Sequence, residues 1–340
     1  MFDIVAIGSA TRDAFFNVDL PTVPWPKAES KKAYVLPFGE KLEVKNVYFT
    51  VGGNSVNASV TFARQGFRSA CAAKVGSDVS GEEIRRRLRK EGVNTNTIVN
   101  HPTLPTAYSV LIREKGERTI LGYHGAADSF AINDLRLAKL RAKWWYVSLA
   151  GESDKMLLPL LQFAERNNIA VAFNPTAYHL RHKRGEVLKS LSKLAFLVLN
   201  EEEAALLTGV SFKNEKAVFR KLDKLVPGVL AVTDGRRGAA ISDGKFIYRV
   251  GIFKEKKLVD RTGAGDAFGS GFVAGLMRRG VSLKNIGTIR PRDVAYAIRL
   301  ATANAASVVE KVGATEGILA RRDFTNSPRF RNIKIKVLKI

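Results

Sequence analysis

The chain has 340 residues with a formal net charge of +23, and 46% of its residues are hydrophobic. This composition is typical of a globular protein and excludes a disordered one. No apolar run reaches the ~18–20 residues that cross a bilayer, so we expect no membrane span. The single cysteine, Cys71, excludes an intramolecular disulfide and a cysteine-based zinc site. We therefore expect a soluble, cytoplasmic protein with one main core.

The large positive charge favours anionic partners, among them nucleic acid. The densest basic cluster, residues 85–90, falls within a helical pattern that begins near Gly81. Such a run is usually a solvated helix face, and no aromatic residues alternate with it to form a base-stacking surface. We therefore do not expect nucleic acid as a partner.

The N-terminal third is rich in predicted strands. Residues 2–8, 14–20 and 41–51 have strand-like patterns, and prolines break the chain after the second of them. Residues 108–113 and 118–123 flank a polar turn at 114–117, which predicts a β-hairpin. We assign residues 12–51 and 107–125 to a small β-sheet lid.

Beyond residue 130, apolar strands alternate with amphipathic helices. Strands are predicted at 145–149, 169–173, 195–199 and 229–233, with a strand pair around 242–244. Helices are predicted at 154–167, 186–193, 201–208, 264–279 and 293–310. This alternation indicates an α/β fold in which a mostly parallel central sheet lies between two helical layers. The predicted core comprises residues 1–11, 52–106 and 126–340.

The glycine-rich segment DRTGAGD, residues 260–266, gives the clearest indication of the chemistry of the protein. Its two glycines at a helix start let backbone N–H groups converge on an anion, and the helix dipole adds positive charge. A carboxylate at Asp266 would repel phosphate unless it took the proton of a substrate hydroxyl during phosphoryl transfer. The segment therefore predicts phosphoryl transfer with Asp266 as the general base.

Other glycine-rich motifs fit this segment less well. A P-loop ends in Gly-Lys-Ser/Thr, which the chain lacks. The dinucleotide fingerprint needs glycines at positions 1, 3 and 6, whereas Gly263, Gly265 and Gly269 put the third one residue late. A helix start that is glycine-rich only for close packing is the remaining structural alternative.

The segment resembles a signature of the ribokinase (PfkB) family of carbohydrate and nucleoside kinases, Asp-x-Thr-Gly-Ala-Gly-Asp. Arg261 stands where threonine is commonest in that signature. A second family signature, a Gly-Gly pair that opens a helix with Asn following, resembles residues 52–57. The resemblance covers roughly residues 3–320 and implies a ribokinase-like fold with ATP-dependent kinase activity.

The resemblance also implies roles for individual residues at the reacting centre and in the sugar pocket. Asp266 corresponds to the catalytic base, and its neighbours Gly263, Ala264 and Gly265 correspond to the anion hole. Asp13 corresponds to the acid that binds sugar hydroxyls, and Gly53 and Asn57 correspond to residues that line the sugar pocket.

Further roles implied by the resemblance concern ATP and the cations. Asn200 and Glu203 correspond to residues that organise Mg²⁺ and phosphates, largely through water. The implied nucleotide-site residues are Thr233, Gly235, Gly238 and, next to adenine, Asn304. Asp260 and Thr262 correspond to a monovalent-cation loop, which would bind K⁺.

Each of these residues also has a structural interpretation. Asp13 could end a strand, Gly53 could belong to a plain turn, and Thr233 could precede an ordinary turn. Asn200 and Glu203 could form only a capping box at a helix start. Asn304 could be an incidental polar residue of an alanine-rich helix.

The resulting hypothesis is ATP-dependent phosphorylation of a hydroxymethyl group on a sugar. A nucleoside kinase is the alternative, because Phe15, Phe16 and Tyr123 of the lid could stack on a base. A non-catalytic protein that binds nucleotide or nucleic acid is a more distant alternative. We also expect a homodimer through the lid, because a small exposed sheet tends to find a partner.

Overall fold

The computed structural model describes residues 1–28, 30–114 and 117–339. Its strands are β1 (Phe2–Gly8), β2 (Thr11–Asn17), β3 (Thr22–Pro24), β4 (Lys32–Tyr34), β5 (Asn46–Gly52), β6 (Ser69–Ala72), β7 (Lys74–Gly76), β8 (Val99–His101), β9 (Ala107–Glu114), β10 (Glu117–Tyr123), β11 (Ala142–Ser148), β12 (Ala170–Phe173), β13 (Phe196–Asn200), β14 (Val229–Thr233), β15 (Ala239–Ser242), β16 (Phe246–Val250) and β17 (Ile335–Lys339). Its α-helices are α1 (Asn54–Arg64), α2 (Val79–Lys90), α3 (Leu157–Arg166), α4 (Ala177–His182), α5 (Arg184–Ser190), α6 (Glu201–Thr208), α7 (Glu215–Asp223), α8 (Ala264–Arg278), α9 (Pro291–Val308) and α10 (Arg321–Asn326).

The main sheet has the strand order β17-β16-β15-β14-β13-β12-β11-β1-β6. All neighbouring pairs from β6 to β14 are parallel, and the pairs from β14 to β17 are antiparallel. The predicted mostly parallel central sheet is therefore confirmed. None of the helices in the described ranges is both long and apolar enough to cross a membrane.

Helices cover both faces of the main sheet, because side chains alternate along its buried strands. On β1, Ile4 and Ala6 pack in a cluster with α1, α8 and α9. Their neighbours Val5 and Ile7 pack in a second cluster with α3, α6 and α7. The fold is thus the predicted three-layer α/β arrangement.

A separate four-stranded sheet has the order β10-β9-β2-β5 and corresponds to the predicted lid. The turn residues 115 and 116 of its hairpin lie outside the described residues. The sheet contacts the core where Thr50 Oγ1 donates to Glu316 Oε1 at 3.0 Å and Arg113 Nη2 donates to the Val259 carbonyl at 2.5 Å. That this sheet opens and closes as a lid stays a prediction.

Several elements differ from the prediction, three of them for identifiable reasons. The strand predicted at 41–51 begins only at Asn46, because its partner β2 ends at Asn17 in the paired register. The helix predicted at 154–167 is α3, preceded by a separate three-ten turn at Gly151–Met156. Within that turn Ala150 N donates to Ser153 Oγ, a local bond that competes with a continuous helix. Strand β17 was not predicted.

Candidate active site

The carboxyl ends of the parallel strands meet at one edge of the main sheet. Gly8 at the end of β1 pairs with Ser148 at the end of β11, and Asn200 of β13 pairs with Thr233 of β14. Crevices at this edge are the usual ligand sites of open α/β sheets. The fold therefore places Asn200 and Thr233, two predicted site residues at strand ends, at the same edge of the sheet.

The start of α8 lies directly after the glycine-rich segment. Its N-cap Gly263 has a φ of 77°, and a Cβ there would lie 2.5 Å from the Cβ of Ala314. Only glycine accommodates both the left-handed backbone and this close approach. The first-turn N–H groups of Gly265 and Asp266 have no intrahelical acceptors and carry the positive end of the helix dipole, whereas Ala264 N donates to the Arg261 carbonyl at 3.3 Å. This helix start can therefore bind an anion.

The side chain of Asp266 is partly buried in the first turn of α8. Its Oδ2 accepts a hydrogen bond of 2.9 Å from Asn57 Nδ2, which connects α8 to α1. Burial raises the pKa of Asp266 to about 6, although the bond from Asn57 acts in the opposite direction. Asn57 is itself buried, and its Oδ1 accepts no hydrogen bond within the described residues. Asp266 can therefore exchange a proton near neutral pH.

We expect Asp266→Asn to stabilise the ligand-free protein at pH 7.5 by about 1–2 kcal/mol. The folded-state pKa of about 6 lies above the ordinary value of 3.8, so the folded protein binds this proton more tightly than the unfolded chain. The wild type therefore loses this stability as pH rises through about 6, whereas asparagine has no charge to bury. Urea denaturation at pH 7.5 and pH 4 measures the gain, which should largely vanish at pH 4. An equal gain at both pH values would contradict the burial of this charge.

The Gly52–Gly53 turn positions the start of α1. Gly53 has a φ of 97°, and a Cβ there would lie 2.5 Å from the carbonyl oxygen of Ser9. That oxygen accepts hydrogen bonds from Ser55 N at 3.2 Å and from Ser55 Oγ at 2.7 Å. The turn thereby holds the start of α1 against the end of β1. Asn57, one helical turn further along, is positioned by this contact.

Asp13 lies on β2 with only 5% of its surface exposed. Its Oδ1 accepts a hydrogen bond of 2.9 Å from Thr11 Oγ1, and burial raises its pKa to about 6. A Cβ on Gly52 would lie 2.1 Å from Asp13 Oδ2, so the carboxylate rests against the turn that contains Gly53. The structure therefore places Asp13 beside the Gly52–Gly53 turn.

The buried carboxylate of Asp260 organises the loop that precedes α8. Its Oδ1 accepts hydrogen bonds from Thr262 N at 3.0 Å and Thr262 Oγ1 at 2.8 Å, and its Oδ2 accepts one from Gly313 N at 3.3 Å. In the part of the chain that the structure describes, no group of three or more His, Cys, Asp or Glu residues is suited to a metal. The monovalent-cation role of Asp260 and Thr262 stays a prediction.

A cavity of about 520 Å³ lies beside the start of α8. Thr233, Gly235 and Gly238 line one part of it, and Ala264 and Gly265 line another. Most of the remaining wall is apolar and comes from the loop after β16, from α8 and from α9: Ile252, Phe253, Leu258, Phe268, Ala305, Ala306 and Val309. A mostly apolar cavity with a few convergent polar groups is typical of a small-molecule site.

Asn200 and Glu203 form a capping box at the start of α6. Glu203 N donates to Asn200 Oδ1, and Asn200 N donates to Glu203 Oε2, both at 2.8 Å. Burial raises the pKa of Glu203 to about 7, with smaller contributions from Glu202 and Asp266. The alternative interpretation, that these two residues form a capping box, therefore describes their geometry correctly. Their role with Mg²⁺ and phosphates stays a prediction.

The predicted contact of Asn304 with adenine stays a prediction, although the structure places this residue in the core. Asn304 is fully buried in α9, where its Nδ2 donates to the Ala267 carbonyl and its Oδ1 accepts from Leu319 N, both at 2.9 Å. Its neighbours Thr302 and Ala305 line the cavity, whereas Asn304 does not. A buried amide has to be hydrogen-bonded, and here the core satisfies it, so Asn304 connects α9 to α8 and to the following loop.

A chain of polar contacts at the strand ends was not predicted. Asn54 Nδ2 donates to Ser148 Oγ at 2.7 Å, and Ser148 Oγ donates to the Asn174 carbonyl at 2.8 Å. Asn54 N also bonds Ser9 Oγ at 3.2 Å. In the sequence, these contacts were indicated by the position of Asn54 directly after Gly53 and by the polar residues that follow apolar strands.

Comparisons with known proteins agree with this geometry. The model of the pfkB family of carbohydrate kinases matches residues 1–321. A ribokinase of Haemophilus influenzae is 26% identical over 302 residues, covering 84% of this chain and 89% of that protein. A nucleoside kinase of Methanothermobacter thermautotrophicus is 24% identical over 318 residues, covering 93% and 92%.

The fold is also found among solved structures. The structure of Arabidopsis thaliana ribokinase complexed with ribose and ATP superposes with a TM-score of 0.75 at 20% identity, covering 97% of this chain and 99% of that chain. The family match extends over both signatures and over the strands of the main sheet from β1 to β16. The chain thus belongs to the pfkB family of carbohydrate kinases, phosphotransferases with an alcohol group as acceptor.

Proposed function

We propose that the protein transfers the γ-phosphoryl group of ATP to a hydroxymethyl group of a sugar. The observation that carries this proposal is the position of Asp266 in the first turn of α8. Ala264 and Gly265 of the same turn line the 520 Å³ cavity. A general base beside an anion-binding helix start is what phosphoryl transfer to an alcohol requires.

The groups that act in the proposed reaction lie on two helices and on the lid. Asp266 takes the proton of the acceptor hydroxyl, while the N–H groups at Gly263, Ala264 and Gly265 stabilise the charge on the transferred group. Asp13 accepts hydrogen bonds from two sugar hydroxyls, a task that suits a carboxylate. Asn57 Oδ1, which has no partner among the described residues, accepts another.

ATP fits the cavity beside α8. The apolar wall accommodates the base, and the helix start together with Thr233, Gly235 and Gly238 faces the phosphates. The Arabidopsis ribokinase, which has the same fold, was solved with ATP. An ATP-dependent reaction also agrees with the cytoplasmic location expected from the sequence.

The residues present suit Mg²⁺ bound largely through water. Glu203 Oε2 accepts the capping bond from Asn200, whereas its Oε1 makes no hydrogen bond in the described ranges and remains open to a metal-bound water. When bound, Mg²⁺ would neutralise charge on the phosphates. The loop that contains Asp260 and Thr262 would bind K⁺.

The aromatic residues of the lid favour a sugar over a nucleoside. Phe15 is fully buried, with the Arg113 guanidinium 5.8 Å from its ring centroid. Phe16 and Tyr123 lie on the opposite face of the sheet from Asp13, because side chains alternate along paired strands. None of these three rings is therefore available to stack on a base bound beside Asp13. A nucleoside kinase stays the second candidate because of the relative from Methanothermobacter.

A substrate panel tests the proposed reaction. ADP release is measured with ATP, Mg²⁺ and a series of pentoses, hexoses and nucleosides. The highest kcat/KM should belong to a sugar with a free hydroxymethyl group, and its deoxy analogue at that carbon should give no turnover. Turnover of nucleosides alone would replace the proposal by the second candidate. Absence of phosphorylation across the whole panel would overturn both.

We also propose a homodimer formed through the outer face of the lid sheet. Phe49 and Leu121 on this face are 58% and 57% exposed, and Val47 and Tyr123 lie on the same face. A contiguous apolar sheet face of this kind usually marks an interface. Light scattering should give twice the monomer mass, and Phe49→Glu should reduce it to that of one chain.

The nucleic-acid alternative finds little support in the basic cluster of α2. Arg85 donates to two backbone carbonyls of the neighbouring loop. Arg86 pairs with Glu83 at 2.6 Å, and Arg87 pairs with Glu316 at 3.2 Å. Because these guanidinium groups are already engaged within the fold, the cluster offers few free charges to a phosphate backbone.

A further inference from the structure

Two arginines of the cavity wall have side chains without a partner among the described residues. Arg236 lies in the loop after β14, and Arg261 lies in the segment before α8. Within the described residues, neither guanidinium forms an ion pair or donates a hydrogen bond. Glu255 is the one carboxylate among the described residues that line the cavity. The cavity therefore combines an apolar wall with an excess of positive charge.

The neighbouring Arg237 shows that an unpaired guanidinium is not a general feature of the loop. Its Nη2 lies 2.6 Å from Asp234 Oδ1 and 2.8 Å from Glu201 Oε2. Arg237 does not line the cavity. Of two consecutive arginines, one is thus neutralised by carboxylates, whereas Arg236 remains available to an anion in the cavity.

The backbone around Arg261 is fixed on both sides. Thr262 bonds Asp260 Oδ1 through its N and its Oγ1, and the carbonyl of Arg261 accepts a hydrogen bond from Ala264 N at 3.3 Å. The guanidinium is therefore carried by the turn that enters α8, whose N–H groups form the anion site. A guanidinium at this position can bind two phosphate oxygens at once.

We propose that Arg261, supported by Arg236, binds the phosphate groups of the nucleotide donor. This inference rests on the proposed function, because it assumes that the cavity holds a nucleoside polyphosphate. Threonine, the commonest residue of the signature at position 261, has no charge and could not supply this contact. The two arginines make phosphate recognition in this chain depend on side-chain charge as well as on the helix start.

Calorimetric binding of MgADP tests the proposal without knowledge of the acceptor. Arg261→Thr should weaken MgADP binding by roughly 10- to 100-fold, the usual effect of losing a hydrogen bond to a charged group. Arg236→Thr should weaken it less, because that side chain is exposed. Inorganic tripolyphosphate, which has no base, should compete with MgADP in the wild type and compete more weakly in both variants.

Lys257→Thr is the matched control, since Lys257 is an exposed cation near the same cavity but not part of its wall. Its Kd for MgADP should stay within about twofold of the wild-type value. This control distinguishes the loss of a direct contact from a general loss of positive charge. Wild-type affinity in both arginine variants would overturn the proposal and leave the proposed function intact. A wild type that binds neither MgADP nor MgATP would overturn both. If Arg261→Thr fails to fold, Arg261→Gln, which keeps most of the length of the side chain without its charge, replaces it in the same titration.

Discussion

Asp266→Asn should lower kcat by ~10²–10⁴, the range expected when a general base is removed. Asparagine keeps the shape of the side chain and can still accept the hydrogen bond from Asn57 Nδ2, which is 2.9 Å long in the wild type. It cannot accept the proton of the acceptor hydroxyl. MgATP binding should change little, since the backbone N–H groups of α8 are unaltered. Steady-state kinetics with the best substrate of the panel and calorimetry with MgATP measure the two effects.

Asp223→Asn is the matched control for this substitution. Asp223 is also a partly buried carboxylate, with a pKa raised to about 6 by burial, and it accepts a hydrogen bond from Ser242 Oγ at 3.0 Å. It lies on α7, away from the cavity and from Asn57. Its variant should keep wild-type kcat. If Asp266→Asn also turned over at wild-type speed, Asp266 would not be the base.

The two effects expected for Asp266→Asn have one physical origin. A carboxylate that takes up a proton near neutral pH needs a raised pKa, and partial burial raises it to about 6. The same burial costs folding free energy while the group is charged. A variant that is more stable and far less active would show that the Asp266 carboxylate lowers the stability of the protein and is needed for its activity.

The elements that the sequence predicted best have local signals at both ends. Helix α6 begins and ends as predicted, because Asn200 caps its start and Gly209, with a φ of 69°, ends it in the left-handed region. Strand β17 was not predicted, although residues 333–337 alternate regularly between apolar residues and lysines, and its Val337 and Leu338 are exposed. It is a strand because β16 offers an unpaired edge, which is information that the local sequence does not contain.

The same distinction applies to the site. Glycine positions are predictable because the backbone itself needs them, as at Gly263. Asn57 and Asn304 look alike in the sequence, since each lies in a helix among small residues. The structure separates them: Asn57 bonds Asp266 while its Oδ1 accepts no hydrogen bond from the described residues, whereas the core uses both polar atoms of Asn304. Which amide remains free for a ligand depends on tertiary contacts.

Gly53→Ala should destabilise the protein by about 2–4 kcal/mol. The φ of 97° costs an L-residue about 1–2 kcal/mol. The new Cβ would meet Ser9 O at 2.5 Å and Ala10 Cα at 2.8 Å, and both are backbone atoms that cannot rotate away. Overpacking of this kind adds about 1–3 kcal/mol. Calorimetry should record a Tm lower by roughly 3–6 °C for a chain of this size.

Gly122→Ala is the matched control, because no atom lies within 4 Å of its Cβ position and its φ is not in the left-handed region. Its Tm should stay at or slightly above that of the wild type, since alanine restricts the unfolded chain. Relief of the clash at Gly53 requires the start of α1 to move away from β1, which would carry Asn57 away from Asp266. The surviving folded Gly53→Ala protein should therefore have a raised KM for the acceptor and an unchanged KM for ATP. If KM rose for ATP instead, the Gly52–Gly53 turn would serve the donor side of the site, and the assignment of Gly53 and Asn57 to the sugar pocket would be wrong.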